Sequence, residues 1–292
     1  SSPNRGRCYL SYLEVGAKLI VTQTSTDGGL TWSSPVSTSI QPAGDVEPNG
    51  AQPLPRPDGS VAVVYAVGTA EDEEGSGEGF RLASLSAAVY SAMSTDGGAS
   101  FPSNIEVASL LESPTAGVRA PALPSADVAA DGRLFVSWED CRFDPTCSRD
   151  RIVRSTSADG VTWSRPAPIG PATPGADQFV PGLAVDPANP SGQSVALAYN
   201  SMPAGCAAQP SCPGIDVWLT TSPNGGASWT RPQRLDAVPM RLSWLPQAGG
   251  RFFGDYISAS FVDGHAVPVY SLAVEPFGGK LRQAIMALAP RS

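Results

Sequence analysis

Ser25-Thr26-Asp27-Gly28-Gly29-Leu30-Thr31-Trp32 is the stretch from which the organisation of this 292-residue chain can be read. It returns as Ser94-Thr95-Asp96-Gly97-Gly98-Ala99-Ser100-Phe101, as the one-residue-shorter Ser157-Ala158-Asp159-Gly160-Val161-Thr162-Trp163, and as Ser222-Pro223-Asn224-Gly225-Gly226-Ala227-Ser228-Trp229. Asp27, Asp96, Asp159 and Asn224 stand 69, 63 and 65 residues apart, so the chain has a period near 65. Each residue type suits a tight hairpin turn. Asp or Asn accepts backbone N–H groups a few residues on, and glycine takes φ > 0 without penalty. The closing Trp or Phe is then free to fold between neighbouring sheets, where its burial is worth on the order of 2–3 kcal/mol.

More than the turn repeats. Tyr12, Tyr65, Trp138, Tyr199 and Tyr270 each close an apolar strand, and turns containing Gly59, Gly132, Gly192 and Gly264 precede four of them by six or seven residues. Three of the boxes continue W-[ST]-x-P, ending at Pro35, Pro166 and Pro232, as an outer strand tolerates. Each unit is therefore four antiparallel strands, a to d, and such a sheet covers both faces only by stacking on others. The expected fold is an all-β propeller in one domain over 1–292, with units at about 8–40, 48–110, 117–170, 176–236 and 244–290. The first unit lacks strand a and the last lacks a box, which leaves five and six blades both open.

The motif S-x-D-G-G-x-T-W resembles the Asp-box, or bacterial neuraminidase repeat, of sialidases and related secreted propellers, over nearly the whole chain. The resemblance implies an active face opposite the boxes. It also implies one candidate activity, hydrolysis of a terminal acidic sugar by an arginine cluster, a Tyr nucleophile and an Asp acid/base. The F-R-I-P-like segment that supplies the first arginine is missing, with Arg5 or Arg7 as substitutes. Many relatives outside the sialidases bind glycan or protein without catalysis. A structural module of a larger extracellular protein is the third reading.

Bulk properties narrow the field. Charged residues make up 16% and hydrophobic ones 41%, with 30 Gly and 29 Pro, a composition of short strands and many turns. A net charge of −8 argues against nucleic acid, and no apolar run nears the roughly 18 residues of a membrane span. The Ser-rich start has no signal-peptide layout, so the chain is expected to be a mature soluble product. No cofactor is expected; the acidic stretch Glu71, Asp72, Glu73, Glu74 and Glu78 reads as a solvated loop, with Ca²⁺ or a cationic partner as alternatives. Cys141 with Cys147 and Cys206 with Cys212 each enclose five residues in equivalent loops, 12 residues ahead of Asp159 and Asn224 for the second of each pair. Disulfides formed during export fit that spacing better than zinc does, and Cys8 is left over.

Alternating strand direction puts a–b turns and boxes on one face and the variable b–c loops on the other. Candidate ligand-binding and catalytic residues are therefore those starting strand a, namely Asn49, Gln52, Arg119, Gln178, Asp255 and Tyr256. The b–c loops add Glu139, Asp140, Arg142, Asp144, Arg149, Asp150, Arg151 and Asp216. Arg119 suits bidentate carboxylate binding. Tyr256 is either a packed wall residue or a nucleophile needing a glutamate such as Glu139 or Glu275. Trp138-Glu139-Asp140-Cys141-Arg142 is either an ion-pair cluster that stiffens its loop or a ligand contact. The single histidine, His265, follows the Asp263-Gly264 turn on the box face, which argues against Ser-His-Asp chemistry and metal catalysis on the loop face.

Overall fold

A computed structural model describes residues 2–41, 46–69, 87–113, 115, 117–170, 175–206, 209 and 212–288. The acidic stretch from Glu71 to Glu78 lies outside the described residues. Those residues form eighteen strands in five antiparallel sheets, and no α-helix. The first sheet holds β1 (Cys8–Glu14), β2 (Leu19–Ser25) and β3 (Val36–Ser37). The second holds β4 (Val46–Pro55), β5 (Val61–Thr69), β6 (Ala88–Ser94) and β7 (Ser103–Ser109). The third comprises β8 (Ser125–Val128), β9 (Leu134–Asp140), β10 (Arg151–Ser157) and β11 (Ala167–Pro168). The fourth comprises β12 (Ala176–Val185), β13 (Val195–Pro203), β14 (Asp216–Ser222) and β15 (Gln233–Arg234). The fifth is β16 (Ser258–Val262), β17 (His265–Phe277) and β18 (Lys280–Ala287). Every sheet is a simple meander, and the first strands of successive sheets touch: β1 with β4, β4 with β8, β8 with β12, and β12 with β16.

The four repeated turns share one construction. Ser25 Oγ donates to Asp27 Oδ1 at 2.7 Å and accepts the Gly29 N–H at 2.8 Å, while Asp27 takes both the N–H and the hydroxyl of Thr31. Ser94, Asp96 and Ser100 repeat the set; Ser222, Asn224 and Ser228 do so with one bond reversed, the Asn224 amide donating to the Ser228 hydroxyl, and Ser157 with Asp159 makes its shorter form. These bonds, the Thr31 hydroxyl's first, hold the Asp27 carboxyl at about 2. The indole N–H groups of Trp32, Trp163 and Trp229 then close back onto the carbonyls of Gly29, Gly160 and Gly226.

The last three turns also dock on the sheet before their own. At Gly98 a Cβ would stand 2.7 Å from Thr24 Cγ2, at Gly160 2.3 Å from Met93 Sδ, and at Gly226 2.5 Å from Arg154 Nε. Glycine there meets two demands at once, positive φ and close approach. Phe101 is buried in the core of the first two sheets, and Trp163 and Trp229 pack on the next two cores. Trp32 differs from the expected buried aromatic. It is 39% exposed.

Between inner strands the seam is stitched by side chains. Ala126 N–H donates to Gln52 Oε1 at 2.7 Å, Leu183 N–H to Ser125 Oγ at 2.9 Å, and Val185 N–H to Asp127 Oδ2 at 2.8 Å. First strands of adjacent sheets form no ladder with each other, so these groups satisfy backbone N–H that would otherwise be orphaned. The a–b turns and the repeated turns do share one face: Arg56 donates to the carbonyls of Gly132 and Ala158, and Gly225 N–H to Gln193 O.

The closest backbone approach between the fourth and fifth sheets is at Gly182, where a Cβ would lie 2.8 Å from Ile257 O and from Ser258 Cα. Backbone cannot swing aside as a side chain can. Gly182→Ala is expected to cost about 1–3 kcal/mol, read as a lower midpoint in denaturant unfolding; an unchanged midpoint would show that this seam is looser than described.

Candidate functional site

On the loop face the candidate residues fall into separate groups. The first lies at the seam of the third and fourth sheets. Glu139 is the penultimate residue of β9, is 1% exposed, and accepts the Val180 N–H at Oε2 (3.1 Å). Val180 sits in the β12 bulge with φ +50°, so its N–H points out of the ladder and needs a partner from elsewhere. Asp150, 1% exposed, accepts Ser113 N–H at 3.0 Å, and its own N–H donates to Asp177 Oδ1. Gln178 Oε1 takes the Ile152 N–H.

Four carboxyl groups converge on this seam, with electrostatic consequences. Burial first, then the neighbouring Glu112, Asp150 and Asp177, pushes Glu139 well above the usual carboxylate range. Asp150 is raised to about 9, again chiefly by burial, with Glu112, Asp177 and Asp140 adding to it. Both are pushed towards the neutral acid, Asp150 far enough to hold its proton at pH 7, and Glu139 Oε1 has no hydrogen-bond partner. Asp140 contrasts with them. Fully buried, it accepts Trp138 Nε1–H at 3.0 Å and pairs with Arg142 at 2.7 Å, while Arg142 also donates to Ser109 O. Asp144 and Arg149 form a second pair at 2.6 Å, and the Cys141–Cys147 disulfide closes the loop. Cys206–Cys212 staples the equivalent loop of the fourth sheet.

A second group joins the third and fifth sheets. Segments entering them run together at a parallel bridge between Val118 and Arg251, with Arg119 N–H donating to Arg251 O. Gly250 makes this possible, since a Cβ there would lie 2.7 Å from Arg119 N. Arg119 forks onto Asp255 (Nε to Oδ1 3.1 Å, Nη2 to Oδ2 3.3 Å) and lies 5.0 Å over the Phe252 ring. Next in the chain stands Tyr256, with 57% of its surface exposed. Partial burial and then the Asp255 charge raise its phenol above the ordinary range, the opposite of what activates a nucleophile.

The remaining candidates serve locally. Asn49 Oδ1 accepts the Gly50 N–H, and Gln52 stitches the seam described above. Arg151 donates to Gly170 O; Asp216 pairs with Arg234, which also holds Asp236, and burial lifts Asp216 to about 6. Glu275 is exposed on β17. Arg7 donates to Gly97 O and Arg5 lies beside it, both on the turn face, so neither substitutes for a loop-face arginine. Sequence reasoning missed Asp177, Glu112 and Phe252. Asp177 starts strand a beside the chosen Gln178, but its link to Asp150, 27 residues earlier, exists only in three dimensions. Among the described residues no group of three or more His, Cys, Asp or Glu is placed to hold a metal, and no helix is long and apolar enough to cross a membrane.

No family model and no curated protein matches the chain. Solved structures do. An α-L-arabinofuranosidase from Fusarium graminearum superposes with a TM-score of 0.55 at 16% identity, over 90% of this chain and 70% of that one. The fold is a β-propeller. An α-L-arabinanase from Penicillium chrysogenum matches with a TM-score of 0.55 at 14% identity, over 97% of this chain and 75% of that one. A NanB sialidase variant from Streptococcus pneumoniae matches at 0.52 and 12% identity, over 91% of this chain and 54% of that one. At these identities the likeness is one of fold.

The neutral acids make stability depend on pH. Asp150 keeps its proton to about 9 when folded, whereas an unfolded aspartate releases it near 3.9. Its favourable contribution is complete below that lower value and is lost as pH rises towards 9, because the unfolded chain then binds fewer protons. Asp150→Asn, which mimics the protonated carboxyl, should flatten the fall in melting temperature between about pH 5 and 8; an unaltered slope would mean that the cluster is ionised in the folded protein.

Proposed function

We propose that this chain is an extracellular glycan-binding propeller that holds its ligand on the loop face around Tyr256 without cleaving it. The observation that carries this reading is an inequality of exposure. Tyr256 offers a large, open aromatic surface beside a braced Arg119–Asp255 pair, whereas Glu139, Asp140 and Asp150 are sealed and bonded into the scaffold. Aromatic rings with one polar end suit the C–H faces and hydroxyl edges of sugars. Glycosidic cleavage instead needs an open carboxyl acid opposite a second carboxylate or an activated tyrosine, and burial raises the Tyr256 phenol rather than lowering it. Arg119 is engaged by Asp255, so a neutral sugar fits the surface better than a terminal acidic one.

Three further observations support the setting: two disulfides fit an oxidising compartment, the fold is shared with proteins named for arabinan hydrolysis and sialidase activity, and the four turns carry the Asp-box pattern. A single propeller domain over 1–292, closed by five or six blades, belongs to the same proposal.

One observation favours the hydrolytic alternative. Asp150 is raised to about 9 and Glu139 is pushed well above the usual carboxylate range, the direction a general acid requires. A glycan array followed by turnover assays separates the two. The expected result is array binding with no sugar released from a panel of arabinosides and sialosides, and at least tenfold weaker binding by Tyr256→Ala but not by Arg231→Ala. Turnover that disappears in Glu139→Gln would replace binding by catalysis.

A further inference from the structure

A cavity of about 390 Å³ opens on the turn face, on the opposite side of the sheets from Tyr256. One wall is the segment Ser2–Arg7, which folds into two turns and is pinned across the sheet ends by Asn4 Nδ2–H to Gly59 O (2.7 Å) and Arg7 Nη1–H to Gly97 O (2.9 Å). Three arginines line the cavity, Arg5, Arg7 and Arg56, and among the described residues no acidic side chain does, in a chain whose net charge is −8. They are not equally engaged. Arg56 is spent on the carbonyls of Gly132 and Ala158 and on Asp58 at 3.3 Å. Arg7 keeps donors beyond the one given to Gly97, and Arg5 is exposed. Tyr9 Oη, also in the wall, is buried beside Arg7, whose charge and side-chain contact partly offset the upward push of burial on its phenol. Pro57 and Pro187 supply an apolar floor.

Converging N–H donors, a buried hydroxyl beside them and an excess of positive charge are the elements of an oxyanion site. We propose that this cavity binds a small organic oxyanion, a carboxylate or a sulfate or phosphate ester. Its oxygens accept from Arg5, Arg7 and the Tyr9 hydroxyl while its body lies on the prolines. The size suits one sugar-sized molecule.

Titration calorimetry of the full chain tests this with four probes: glucuronate, glucose 6-sulfate, glucose 6-phosphate and uncharged glucose. At least one anionic probe should bind with a submillimolar Kd and glucose should not, and the anion that binds identifies the head group. Arg5→Ala should weaken binding at least threefold, Arg5→Ala with Arg7→Ala at least tenfold, and Tyr9→Phe about threefold, with Arg231→Ala as the control of equal charge loss. Arg5→Ala changes an exposed side chain, so its readout does not depend on folding. The proposal is overturned if no anion binds, if glucose binds equally well, or if the folded double variant retains full affinity.

Discussion

Every sheet in this molecule has two faces to cover, and only another sheet can cover them, so the seam between neighbours governs everything else. The seam has a fixed recipe. An aromatic from the repeated turn fills it at one end, a glycine lets the turn settle on the strand before it, and side chains on the inner strands cap the stray N–H groups of the next sheet. Phe101, Gly98 and Thr24 show the first two parts between the opening sheets. Gln52, Ser125 and Asp127 show the third. Trp32 shows what the recipe looks like unfinished, a seam residue with its outer side open to water.

The same requirement explains why the rim offers so little free chemistry. Glu139 is polar because a bulge at Val180 turns an N–H towards it, and Gln178 because Ile152 needs an acceptor. Asp140 holds Arg142 and the indole of Trp138. Buried polar groups cost several kcal/mol if left unpaired, which is reason enough for these residue types without any ligand. Tyr256 stands outside that network, which is why it, rather than the more reactive carboxyls, carries the functional reading.

The repeat made the fold legible, because residues such as Asp27, Gly28 and Trp32 act within their own turn and leave a local signature. Loop pairing was legible too: Cys141–Cys147 and Cys206–Cys212 occupy equivalent positions of adjacent units. Partnership across seams was not. Arg119 and Asp255 were both candidates, yet nothing in the chain order brings residues 136 apart into one ion pair. Glu112, Asp150 and Asp177 raise the proton affinity of Glu139 only because three separate connections end at one seam. The bond from Arg7 to Gly97 likewise crosses ninety positions, so the turn-face location of the leading arginines had no sequence signal.

The two disulfides each span a separation of six residues, and this shortness has its own consequence. Cross-linking restricts an unfolded chain by the logarithm of the loop it closes, so bridges this short contribute on the order of 2 kcal/mol each and none of it by linking distant parts. They act as local splints on the rim. Reducing agents would loosen the two hairpin tips while leaving the stacked sheets assembled, so sensitivity to reduction is confined to the loop-face rim.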